Sequence, residues 1–186
     1  MSGNSKQRKS MSLNEVPRNL FLPILVAVMV FLLTLWARTI IIGTMNLYER
    51  LTVIKDFFSI TYVRNPGAAF GIFSKLDPSY RVPGLLGISF VALVLIIYFL
   101  IKSRRSHWTI RLGLSLLAGG AMGNFYERLI YGAVVDYLDF YLGNYHWPAF
   151  NLADVSISSG IGFILLFMVV LRARDENMKE RRGQAS

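Results

Sequence analysis

Apolar residues in this chain fall into long blocks separated by polar segments. The first block covers residues 20–45, with Thr34 and a single charge, Arg38, inside it. The second covers residues 82–101 and the fourth residues 152–171. Between them a shorter third block, residues 112–122, ends in a polar patch near Arg128. A bilayer core about 30 Å thick needs about 20 helical residues, so the pattern predicts four membrane-spanning helices. The third is short but is required by its neighbours. A basic tail before an apolar run also describes a secretory signal peptide. The first block, however, is longer than the ~7–15 residues of such a segment, and no small-x-small cleavage site follows it.

The polar segments give the orientation. The tail at residues 1–19, the loop at 102–111 and the tail beyond residue 171 hold four, four and five basic residues, 13 of the 20 in the chain. By the positive-inside rule these face the cytoplasm, and residues 46–81 and 129–150 lie outside. The outer segments differ in character. In residues 51–63, Phe58, Ile60 and Tyr62 alternate with Ser59 and Thr61, the period of a half-buried strand, and Asn65-Pro66-Gly67 reads as a turn. A small sheet on the outer membrane face follows. The second outer segment carries Tyr131, Tyr137, Tyr141, Tyr145 and Trp147, which suit an interfacial belt. Small residues recur every four positions at Ser115, Gly119 and Gly123, at Ser156 and Gly160, and at Ser158 and Gly162, a spacing that lets helix backbones approach closely.

Composition narrows the chemistry. A length of 186 residues fits one domain. Cysteine is absent, which removes disulfides, thiolate metal sites and a thiol nucleophile. His107 and His146 lack metal-ligand spacing, so neither a metal nor a cofactor is expected. The net charge of +9 sits in the cytoplasmic segments, where it sets topology and meets anionic lipid; a nucleic-acid partner is not expected. Gly119-Gly120-Ala121-Met122-Gly123 lacks the lysine and hydroxyl of a phosphate loop.

Ionisable groups near membrane spans are costly, and Glu127, Arg128, Asp136 and Asp154 all fall near the outer surface. Asp154 alone reads equally well as a helix N-terminal acid, and Asp136 alone as a loop residue. As a pair they are more telling. The segment between them can loop out and return, so that both carboxylates meet. Two close carboxylates cannot both ionise cheaply: one keeps a proton and serves as acid while the other activates water. Arg128 reads as an interfacial anchor or as a group that holds a substrate carbonyl or lipid head group. Asn65, Asn124 and Asn151 are weak signals singly, though an amide at the end of a span, like Asn124, needs partners. Asp139, three residues beyond Asp136, is expected to be dispensable.

Four segments carry a resemblance: residues 57–71, which include Asn65-Pro66-Gly67; Gly119 through Arg128; Val134-Val135-Asp136-Tyr137; and Pro148-Ala149-Phe150-Asn151-Leu152-Ala153-Asp154. In order, spacing and placement they resemble the lipoprotein signal peptidase (signal peptidase II) family over roughly residues 20–172. The resemblance implies an all-α membrane protein of the bacterial inner membrane, with four transmembrane helices, a small periplasmic β-sheet cradle and both termini cytoplasmic. Tails at 1–19 and 173–186 would flank a peptidase domain at 20–172. It implies an aspartic endopeptidase, with Asp136 and Asp154 catalytic and Asn65, Gly67, Asn124, Glu127, Arg128 and Asn151 in support. The substrate would be a diacylglyceryl-modified prolipoprotein cut just before the lipidated cysteine, by a monomer surrounded by membrane lipids. The chain departs from the family pattern at three places. Thr34 and Arg38 stand where an Asp and a Lys are usual, Glu127 replaces Asp, and Pro66 replaces Thr. The departures keep open a divergent paralogue that binds lipidated precursors with weak or no cleavage. A small transporter or channel subunit would carry acids deep in several spans, which this chain does not.

Overall fold

The computed structural model describes residues 18–68 and 72–183. The tail at 1–17, Ala69-Phe70-Gly71 of the first motif and residues 184–186 lie outside the described residues. Among the described residues four α-helices and four strands follow one another, with one 3-10 turn (Ser103–Arg105) after the second helix: α1 (Arg18–Thr44), β1 (Arg50–Ile54), β2 (Phe58–Asn65), α2 (Pro78–Lys102), α3 (Trp108–Tyr131), β3 (Val134–Leu142), β4 (Tyr145–His146) and α4 (Leu152–Gly183).

Among the described residues, three helical stretches, Leu20–Thr44, Pro78–Lys102 and Leu152–Leu171, are long and apolar enough to cross a membrane. The chain is a multi-pass membrane protein. α3 is as long, at 24 residues, but less apolar. Its position accounts for this. α3 packs against α1, α2 and α4, so much of its surface meets protein rather than lipid. It also outruns the predicted block at both ends, so Asn124, Glu127 and Arg128 stand in its last two turns. α4 continues past the apolar stretch to Gly183, where a tail from residue 173 was expected.

Local chemistry fixes the helix ends. Asp77 caps α2, its carboxylate accepting from Ser79 N–H at 2.8 Å, with Pro78 in the first turn where no N–H is needed. α3 ends on Gly132, left-handed at φ 69°, whose N–H donates to Arg128 C=O. The small-residue stripes sort by contact. A Cβ on Gly119 would lie 2.5 Å from Ala27 C=O of α1, and one on Gly160 would lie 2.5 Å from Gly113 C=O of α3. Gly123 abuts Thr34. Gly162 has open space before it, so the Ser158–Gly162 pair is not a packing stripe.

The sheet is larger than predicted. All four strands form one antiparallel meander, β1-β2-β3-β4, so the aromatic second outer segment contributes two strands instead of an irregular belt. The alternation in β2 holds only to Thr61 and with its faces reversed: Ser59 and Thr61 are buried while Phe58 and Ile60 are half-buried, and Tyr62 is then buried as well. The hydroxyls are inward because they have partners there, Asp139 for Ser59 and Glu49 C=O for Thr61. Tyr62, Val135 and Tyr137 of the sheet pack on Ile41 near the C-terminal end of α1, which joins sheet to helices.

Candidate active site

Asp136 lies in β3, opposite Val63 of β2. Asp154 lies in the first turn of α4. What joins them is a short return of the chain. Phe150 bridges to Leu138: Tyr137 and Leu138 N–H both donate to Phe150 C=O, and Phe150 N–H donates to Leu138 C=O. The next residue, Asn151, therefore emerges beside Asp136 and starts α4.

Asn151 spans the two carboxylates. Its side-chain amide donates to Asp136 Oδ1 at 2.8 Å. Its backbone N–H donates to Asp154 Oδ2 at 3.2 Å, and Asp154 N–H returns a bond to Asn151 Oδ1 at 3.1 Å. This reciprocal pair is a capping box, so the helix-terminal role and the site role of Asp154 belong to the same carboxylate. Asn124 Nδ2 donates to Asp154 Oδ1 at 2.8 Å and its Oδ1 faces Asn151 Nδ2 at 3.4 Å. Asn65 Nδ2 donates to Asp136 Oδ2 at 2.8 Å. Three asparagines from three elements thus hold the acids by N–H groups.

Arg128 reaches from α3 to Gly67 C=O at 3.2 Å, and Gly67 N–H in turn donates to Asn65 Oδ1 at 2.9 Å. Pro66 fits this turn without loss, because the bond closing it runs from Gly67 N–H and not from residue 66. Burial pushes the Asp136 carboxyl up to about 6, and the Asp154 charge adds to this; the N–H groups of Asn65 and Asn151 and the Arg128 charge act the other way. Both acids, Arg128 and the three asparagines line one cavity of about 670 Å³, with Leu85 and Ile88 of α2 and Trp147 and Phe150 on its apolar walls.

Glu127 does not line this cavity. It is buried, accepting from Val135 N–H at 2.9 Å and pairing with Arg38 Nε at 3.3 Å, while the Arg38 guanidinium lies over Tyr131 at 3.8 Å. Two of the family departures, Arg38 and Glu127, are therefore one ion pair that anchors the start of β3 next to Asp136. Thr34 stands apart, bonded to Phe31 C=O of its own helix and pressed against Gly123. Tyr137 was not singled out as a site residue, yet its hydroxyl accepts Leu152 N–H at 3.0 Å at the start of α4. Burial pushes its phenol up to about 12. Asp139, expected to be dispensable, is buried and receives Ser59, Arg50 and His146.

The fold and site define a membrane-embedded protein with two carboxylates sharing one cavity at the end of its helices. The profile of the Signal peptidase (SPase) II family matches residues 26–170. The chain is 41% identical over 150 residues to the lipoprotein signal peptidase of Syntrophus aciditrophicus (strain SB), covering 81% of this chain and 93% of that one. It is 38% identical over 160 residues to that of Alteromonas mediterranea, covering 86% of each. A bacterial membrane enzyme solved by the in meso method at 2.3 Å superposes with a TM-score of 0.71 at 34% identity, covering 80% of this chain and 87% of the other. The chain belongs to the signal peptidase II family.

Proposed function

We propose that this protein is an aspartic endopeptidase that removes the signal peptide from diacylglyceryl-modified prolipoproteins, cutting just before the lipidated cysteine. The observation that carries the reading is the pair itself: Asp136 and Asp154 face one cavity and are tied together through Asn151. The family membership of the chain supplies the substrate class.

The pair works with one proton. Asp136, raised by burial, holds it, and ionised Asp154 accepts a proton from water as the oxygen attacks the scissile carbonyl carbon. Asp136 donates to the carbonyl oxygen, giving a neutral tetrahedral diol. Collapse breaks the C–N bond. Asp154 passes its proton to the departing nitrogen, and Asp136 recovers one from the diol. Arg128 orients the substrate, and the asparagines keep both acids aimed into the cavity.

The same reading places the protein as a monomer in the bacterial inner membrane, with α3 as a fourth crossing, both termini cytoplasmic, and the sheet and cavity periplasmic. The charge bias supports this placement. The departures at Thr34, Arg38, Glu127 and Pro66 leave every hydrogen bond to the two acids in place, which favours cleavage over binding alone. The diacylglyceryl group anchors the cysteine at the height of the acids, so binding energy goes into positioning. Purified protein should release the signal peptide from a lipidated precursor, with mass spectrometry placing the cut, and should process the unlipidated form far more slowly. Binding of the lipidated form without turnover would establish the paralogue reading instead.

A further inference from the structure

One carboxylate outside the cavity gathers a side chain from each of the other strands. Asp139 of β3 is 3% exposed. Its Oδ2 accepts from Ser59 Oγ of β2 at 2.9 Å and meets Arg50 Nη2 of β1 at 3.2 Å. Its Oδ1 takes His146 Nδ1 of β4 at 2.9 Å. Arg50 Nη1 lies 3.4 Å from His146 Nε2, so an imidazole protonated on Nδ1 donates to Asp139 and accepts from Arg50. Each of these four polar groups has a partner in the cluster.

The cluster sits next to an irregularity in the sheet. Ser59 and Asp139 are directly opposite, and so are Val63 and Asp136, but the register shifts between them. A bulge in β2 therefore separates Asp136 from the regular part of the ladder, and a bulge bends and twists its strand, so the aim of Asp136 depends on contacts that hold the strands beside it. His146 is followed by Trp147, whose N–H donates to Phe140 C=O, and then by the segment ending at Phe150 and Asn151. That segment walls the cavity and carries the amide that spans the two acids.

We propose that Asp139 is a positioning residue for the peptidase reaction: by binding Ser59, Arg50 and His146 together it sets the register of β3 and the path of the β4 segment, and so the placement of Asp136 and Asn151. The proposal rests on the reading of Asp136 and Asp154 as the reacting pair. It makes no claim that Asp139 touches substrate.

The test measures kcat and KM of the full chain on a lipidated precursor in bilayers, with Asp136→Asn alongside. Displacement of a reacting group by about 1 Å costs on the order of 100-fold, so Asp139→Ala should lower kcat by about that factor with KM nearly unchanged. Loss of the single hydroxyl in Ser59→Ala should lower kcat about tenfold, as for one bond to a charged group. His146→Asn places an amide N–H where Nδ1 stood and should retain far more activity than His146→Ala. An unchanged kcat in folded Asp139→Ala, a rise in KM alone, or equal activity of His146→Asn and His146→Ala would overturn the proposal. Should Asp139→Ala fail to fold, an unchanged kcat in Ser59→Ala overturns it in the same way. Normal turnover by Asp136→Asn defeats the underlying catalytic reading instead, whatever Asp139 does.

Discussion

At the scale of single residues, the pair is governed by the competition between burial and donated N–H groups. Burial holds a proton on Asp136 up to about pH 6, against an ordinary value of 3.8. The folded chain therefore binds more protons than the unfolded chain between these values. The corresponding stability is complete below the ordinary value and is lost as pH rises through about 6. With Asp136 as the proposed acid, the same proton sets the alkaline limb of kcat/KM, which should fall above about 6. Asn65 stabilises the ionised form of Asp136, so Asn65→Ala should move the alkaline limb of kcat/KM upward. A limb that stays or moves down would separate Asn65 from the titration. Glu127 belongs to this scale too. The sequence links the acid lost at Thr34 to the lengthened Glu127 in one polar network; Thr34 instead bonds Phe31 C=O of its own helix, and Glu127 turns elsewhere. Its partners are Arg38 on α1 and Val135 N–H on β3.

Elements bring these residues together, and here the sequence was legible in part. The long apolar blocks marked α1, α2 and the first part of α4, because lipid-facing helices must be apolar nearly all round. α3 was under-read because packing on three neighbours relaxes that demand. β3 and β4 were missed: their aromatic residues suit a strand and an interfacial loop alike, and the meander is recognised only through pairing with β2. That pairing, with the return at Phe150, makes Asp136 and Asp154 meet. Their meeting was inferred from chemistry, but its means, Asn151, was legible only through resemblance. Helix packing gives its own prediction. Gly160 and Gly113 let the α3 and α4 backbones touch. Gly160→Leu forces them apart and should destabilise the fold by about 1–3 kcal/mol or more, lowering the thermal midpoint. The same change at Gly162, which faces open space, should leave that midpoint nearly unmoved. Equal effects at both sites would contradict this packing.

At the scale of the whole molecule, helices and sheet divide the work. The helices fix the depth of Asp154, Asn124 and Arg128, and the sheet supplies Asp136 and Asn65 from above. The cavity opens between them, with apolar walls from α2 suited to acyl chains and polar groups suited to a peptide. Orientation is testable directly. With no native cysteine in the chain, Lys75→Cys and Lys102→Cys, both exposed, should react with an impermeant thiol reagent from opposite sides of the membrane, Lys75→Cys from outside. Labelling of Lys75→Cys from inside would refute an outward-facing cavity, and labelling of both from one side would refute the crossing by α2. The central claim is that Asp136 and Asp154 act as one unit. Asparagine nearly matches aspartate in shape but cannot act as a general base, so the most direct measurement is turnover of a lipidated precursor by Asp136→Asn, Asp154→Asn and the double variant, with binding followed in parallel. Each single change should abolish cleavage while binding persists, and the double should be little worse than either single. Asp56→Asn, in an exposed turn at φ 59° that asparagine tolerates, should cleave normally. Near-normal turnover by either single variant would contradict the account.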